Sequence, residues 1–258
     1  MTKFVLITGF MGCGKSSVSN ILRDKGYMVI NLDNFVKELY KNDIGTKDIL
    51  LQTFGERVFN GYDREKGKIL VDFDYLKTEI FKPENDEKRK KMMRRILKER
   101  IYSIFFFNNY IPENIPVVFL EAALTETVGD LIEQFRINDI INVCCNNPTP
   151  RLLKRGMTQD DIDARRRIQK WPNLNPGTNT YTVNNDLPIE NLEDIINYIL
   201  ETTNLITTTE KRELFKNWID NLSDSAIEKA YCSAFKIDNG CKYCPFPCKN
   251  KIKDKNDK

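Results

Sequence analysis

Histidine is missing from the 258 residues of this chain. No imidazole can act as general base or metal ligand, so proton transfer falls to carboxylates and metal binding to Cys, Asp, Glu or hydroxyl oxygens. Long hydrophobic runs are missing too, and none approaches the ~18 residues of a membrane helix. The N-terminus lacks the small-residue cleavage site of a secretory signal; one lysine precedes a strand-like run. A cytoplasmic location is the resulting expectation. An excess of one charge is also lacking, since 40 basic and 37 acidic residues leave +3. Bulk charge gives no argument for nucleic acid as a partner, while leaving room for a local basic site.

What is present suits a globular protein, with 41% hydrophobic and 30% charged residues. The length allows one α/β domain with a full core and a small appendage. Short apolar runs at residues 4–8, 28–30, 117–120, 140–144 and 181–183 read as strands of a parallel sheet buried on both faces. Helical patterns at 16–25, 34–40, 86–107, 127–135, 158–169 and 192–201 lie between or after them. That order predicts a doubly wound α/β domain over residues 1–204.

Gly9, Gly14, Lys15 and Ser16 stand in the G-x-x-x-x-G-K-[ST] spacing, with a strand pattern before and a helix pattern after. Glycines let backbone N–H groups turn inward around phosphate oxygens, and the helix start adds its positive end. The segment Gly12, Cys13, Gly14, Lys15, Ser16 and Ser17, with Gly9, is therefore the expected ATP cradle. Lys15 places a point charge at the β- and γ-phosphates, and the Ser16 hydroxyl is suited to Mg²⁺. Cys13 reads as a small residue accommodated there rather than as a redox-sensitive thiol.

The stretch "YMVINLD" ends at Asp33, where a carboxylate can take the proton of an acceptor hydroxyl. Its other reading is an N-cap for a helix beginning at Asn34. The apolar run "PVVFL" stops at Glu121, placed to hold Mg²⁺ through water, with Glu126 as a second choice. Further on, Arg151, Lys154, Arg155, Arg165, Arg166 and Arg167 crowd around one turn. They read as a helical lid in which Arg155 and Arg151 stabilise charge on the transferring phosphoryl group, the others being surface.

Taken together, "ITGFMGCGKSSVSNILRDKGYMVINLD", "TFG", "VVFLEAALTE", "RLLKRGMTQDDIDARRRI" and "TVNND" resemble dephospho-CoA kinase across about residues 3–200. The resemblance implies phosphorylation of the ribose 3′-hydroxyl of dephospho-CoA by ATP. The chain departs from the family's pattern at several places. The family's Asp-x-Asp is Asn31, Leu32 and Asp33 here, its Pro-Leu-Leu-Phe-Glu is Ala122, Ala123, Leu124, Thr125 and Glu126, and its His-Pro falls at Lys98 and Glu99. The family's glutamine after its Arg-Ile pair is displaced or replaced near residues 169–171. "GFMG" with "GKS" also resembles shikimate kinase, whose later arginine and triple-glycine signatures are missing. A nucleotide, nucleoside or polynucleotide kinase remains an alternative, as does a non-catalytic, nucleotide-gated binding module.

Two features fall outside this reading. "EKRKKMMRRILKERIYSIFFFNNY" interleaves bases and aromatics, as single-stranded nucleic acid binding requires. The plainer reading buries Met92, Ile96, Ile101 and Phe105 and leaves the charges in water. The segment 205–258 opens with a capping box at Thr207 and Glu210 and forms a small helical, cysteine-rich appendage. Four of the chain's seven cysteines, Cys232, Cys241, Cys244 and Cys248, lie there and suit a four-thiolate site for zinc or an iron–sulfur cluster.

Overall fold

A computed structural model describes residues 2–202 apart from 66, 108–109, 112–114, 126 and 187–188. The expected appendage with its four cysteines, and Glu126, lie outside the described residues. The elements begin with β1 (Lys3–Thr8), α1 (Lys15–Asp24), β2 (Met28–Asn31), α2 (Leu32–Asn42) and α3 (Ile44–Phe54). A hairpin of β3 (Phe59–Asp63) and β4 (Lys68–Val71) follows, then α4 (Phe73–Phe81) and α5 (Asp86–Arg95). A π-helical turn (Ile96–Ile101) joins α5 to α6 (Tyr102–Phe107). Next come β5 (Val117–Glu121), α7 (Val128–Gln134), β6 (Asp139–Cys144), α8 (Thr149–Lys154), α9 (Gln159–Ile168), β7 (Asn179–Asn184) and α10 (Ile189–Thr202).

The described residues form two compact units, one from the stretches 2–33 and 115–202, the other from residues 34–111. In the first, five strands pair in the order β2-β5-β1-β6-β7, all parallel. β1 is central and buried from Phe4 to Thr8, which is why its residues are apolar on both faces. Val5, Ile7, Phe119, Ile141 and Val143 pack with Val18 and Leu22 of α1 and with Leu192 and Ile196 of α10. Each such side chain contributes about 1.5–3 kcal/mol by leaving water. All five expected strands are present, and every one ends toward the glycine-rich turn's side of the sheet because the pairing is parallel.

The second unit holds more structure than the sequence pattern predicts. Helix α2 starts at Leu32 rather than Asn34, and α3, the β3–β4 hairpin and α4 carry no clear periodic signal. The buried side of α3 includes Thr46 and Lys47 beside Ile49 and Leu50, so its stripe is not apolar. The single helix expected over 86–107 is interrupted by the π-helical turn. Met92, Ile96, Ile101 and Phe105 are buried as expected. Arg89, expected in water, is instead buried and donates to the Ile80 carbonyl at 2.9 Å and to Asp86 at 2.7 Å. Phe35, Phe105 and Tyr110 form an aromatic cluster with centroids 5.0–5.4 Å apart. Among the described residues, no helix is long and apolar enough to cross a membrane.

Candidate active site

The turn between β1 and α1 is shaped by its neighbours as much as by its own residues. Gly9 has φ +144°, and a Cβ there would lie 2.1 Å from the Val143 carbonyl oxygen. Gly14, with φ +89°, caps α1, and a Cβ would lie 1.8 Å from the Asn185 amide nitrogen. Backbone and space both demand glycine.

Lys15 is buried, and its Nζ donates to the carbonyls of Gly9 at 3.1 Å and Phe10 at 3.3 Å. Burial pulls its ammonium below the ordinary lysine value, the charges of Asp33, Glu121 and Cys13 push it back, and Arg155 lowers it further. Five of the residues singled out from the sequence therefore share one electrostatic neighbourhood.

Asp33 lies in the first turn of α2, exposed, because β2 closes at Asn31. It is thus neither the last residue of a strand nor an N-cap. Glu121 ends β5 beside Ile7 and Asn31 in the strand register. It is 6% exposed, and its Oε2 is buried with no hydrogen-bond partner among the described residues. An orphaned buried carboxylate oxygen beside a phosphate loop is chemically matched to Mg²⁺ or to its water shell. The Ser16 hydroxyl stands exposed in the first turn of α1, and Ser17 donates its N–H to Gly14 at 2.9 Å. Among the described residues no group of three or more Cys, Asp or Glu side chains is arranged to hold a metal. Mg²⁺ does not need such a cage, since substrate phosphates and water complete its shell.

The two lid arginines differ in their surroundings. Arg155 ends α8, is exposed, and its charge reaches Lys15. Arg151, one turn earlier, donates to the Asn185 carbonyl at 3.2 Å and lies 3.8 Å from Asp186. Arg166 donates to Thr149 at 2.6 Å and ties α9 to α8.

Three further residues meet the loop, of which only Cys145 had no place in the sequence reading: Asn185 stands in "TVNND", and Gln169 falls where the family's glutamine is displaced or replaced. Asn185 donates its side-chain N–H to the Cys13 carbonyl at 2.9 Å. Gln169, just past α9, accepts the Met11 N–H at 3.2 Å. The Cys145 thiol reaches Cys13. Asn185 and Cys145 directly follow strands β7 and β6, so the rule that ligands gather beyond strand carboxyl ends would have flagged both.

The family model for dephospho-CoA kinase matches residues 3–186. The chain is 24% identical over 214 residues to the dephospho-CoA kinase of Aquifex aeolicus, covering 81% of this chain and 93% of that one. To the Streptococcus pneumoniae enzyme of the same name it is 26% identical over 173 residues, or 67% and 81% of the two chains. The crystal structure of TT1252 from Thermus thermophilus shares the fold, with a TM-score of 0.53 at 24% identity over 78% of this chain and 97% of that one. With the family model spanning well over half of it, the chain belongs to the dephospho-CoA kinase family.

Proposed function

We propose that the chain transfers the γ-phosphoryl group of ATP to the ribose 3′-hydroxyl of dephospho-CoA, releasing ADP and CoA. The observation that carries this reading is the convergence of Asp33, Glu121 and Arg155 on the buried Lys15 ammonium. A lysine already held by carbonyls at the mouth of the loop can exchange them for phosphate oxygens at little cost in order.

In this reading the N–H groups from Gly12 to Ser17, with Gly9 giving the turn its room, receive the phosphates. Lys15 faces the β- and γ-oxygens. The Asp33 carboxylate accepts the acceptor hydroxyl proton as the new P–O bond forms and the bond to ADP breaks. Arg155, with Arg151 released from Asn185 and Asp186, meets charge on the transferring group. Mg²⁺ would be held by Ser16 and, through water, by Glu121, and supplies charge neutralisation on the phosphates. A cytoplasmic enzyme with a small-molecule substrate follows. Zinc at Cys232, Cys241, Cys244 and Cys248 is part of the same reading, and metal analysis of the purified chain tests it: a metal-free preparation overturns that assignment.

The deciding experiment is Asp33→Asn. General-base removal should lower kcat by about 10²–10⁴-fold while ATP affinity stays within a factor of two. Unchanged kcat removes Asp33 as base. The product mass with dephospho-CoA, nucleosides, nucleoside monophosphates and short DNA identifies the acceptor; transfer only to a nucleotide or DNA would replace dephospho-CoA as substrate.

A further inference from the structure

Cys13 and Cys145 are 132 residues apart in sequence, yet their sulfurs lie 2.9 Å apart, with Cys145 donating its S–H to Cys13. Cys13 is the central residue of the phosphate loop and is 2% exposed. Cys145 immediately follows β6 and is half-buried. We propose that these two thiols are a modification site, closing into a reversible disulfide that switches off nucleotide binding.

The geometry needs little rearrangement. A disulfide places its sulfurs about 2.05 Å apart, so closure asks for a shift of under about 1 Å. The neighbouring Cys144 is not an equivalent partner. It ends β6 on the opposite side of the strand alternation, and its thiol donates to the Val183 carbonyl at 3.5 Å. Among the described residues, all three cysteines are free thiols.

The chemistry requires an oxidant, here a small-molecule disulfide. The more exposed Cys145 reacts first: its thiolate attacks one sulfur of the oxidant, forming a mixed disulfide and expelling one thiolate. Cys13 then loses its proton to solvent, and its sulfur displaces the second small thiolate from Cys145. Two protein thiols are oxidised and one disulfide is reduced to two thiols. Burial pushes the Cys13 thiol up to about 12, with the Cys145 sulfur adding to the rise, so Cys13 is the resolving and not the entry sulfur.

The consequence follows from where Cys13 sits. Its carbonyl is held by Asn185, and the N–H groups on either side of it line the expected phosphate cradle. Drawing its side chain toward β6 turns those N–H groups, and losing one charge-assisted hydrogen bond to a phosphate oxygen weakens binding by roughly tenfold or more. Linkage then requires bound ATP to oppose disulfide formation by the same factor that the disulfide weakens ATP.

This inference rests on the ATP site proposed above, and its test separates the two. The full chain is treated with oxidised glutathione, digested without reduction, and searched for a Cys13–Cys145 peptide pair two hydrogens lighter than its parts. ATP affinity is measured directly by equilibrium binding, with no acceptor present. The expected result is the cross-linked pair, a loss of ATP affinity of at least tenfold, and recovery with dithiothreitol. Cys145→Ser, compared with its own untreated ATP affinity, should be insensitive to the oxidant, whereas Cys144→Ser stays sensitive. A stable glutathione adduct on Cys145 without the cross-link overturns the proposal, as does a cross-link that leaves ATP affinity unchanged. Failure of the reduced chain to bind ATP would instead overturn the nucleotide site itself.

Discussion

Asn185 contributes a single N–H to the Cys13 carbonyl, but that bond decides which way the next peptide faces. The same residue fills the space that a side chain at position 14 would need. A neutral hydrogen bond of this kind contributes about 1 kcal/mol, which corresponds to roughly fivefold in an equilibrium. Asn185→Ala should therefore raise KM for ATP about fivefold, with kcat changed less than twofold and the melting temperature within a few degrees. Asn185→Asp should do no better than alanine, since a carboxylate has no N–H to donate. Normal KM in both variants would show that the loop holds its shape without this contact. Residue-scale function of this kind is hard to see in a sequence: the phosphate loop announces itself by spacing, whereas its brace is one asparagine 172 positions away from the carbonyl it holds.

At the junction of α2 and α3, Asp43 caps α3 by accepting from the Thr46 N–H at 2.7 Å and also accepts from Arg100 Nε at 2.7 Å. Arg100 belongs to the π-helical turn, so one carboxylate ties a helix start to the irregular part of another helix. Burial alone would raise the Asp43 carboxyl, but the bonds from Arg100 and Thr46 outweigh it and hold it below the ordinary carboxylate value. The folded-state value is depressed, so the stabilisation is complete above the ordinary aspartate range and is lost as pH falls through the depressed value. Asp43→Ala leaves Arg100 without its partner and should cost about 3 kcal/mol, measured by urea unfolding near neutral pH. The gap between wild type and variant should narrow in acid. A pH-independent gap would mean that the carboxylate charge is not what holds the junction. One turn along α3, Lys47 is buried, and burial and the charge of Lys68 lower its ammonium. Lys47→Met should stabilise the chain by about 1 kcal/mol in the same assay, since it removes a buried charge and keeps the stem volume. These polar groups on the inner face are also why α3 could not be read as a helix: its buried positions do not spell an apolar stripe. Helix α5 could be read, because Met92 and the following Ile96 keep helical spacing.

Over the molecule as a whole, legibility followed burial. Strands covered on both faces leave continuous apolar runs, so β1, β2, β5 and β6 and the turn at the sheet's centre were visible in the sequence, whereas the edge strand β7 is mostly exposed and showed only the short run 181–183. The β3–β4 hairpin is largely exposed and left no such trace. Helix α10 sets where the first unit's core ends, for it buries Leu192, Ile196, Ile199 and Leu200. A chain cut after residue 204 keeps all four side chains. It should melt within a few degrees of the full protein and retain ATP-dependent phosphorylation of dephospho-CoA. A chain cut at 190 forfeits their burial, on the order of 6–12 kcal/mol at 1.5–3 kcal/mol each, against a typical net stability of about 5–15 kcal/mol. That shorter chain should be unfolded by circular dichroism at 25 °C. If instead the 204-residue chain lost activity while remaining folded, the residues beyond 204 would have to contribute to the reaction, and the expected kinase boundary at 204 would be overturned.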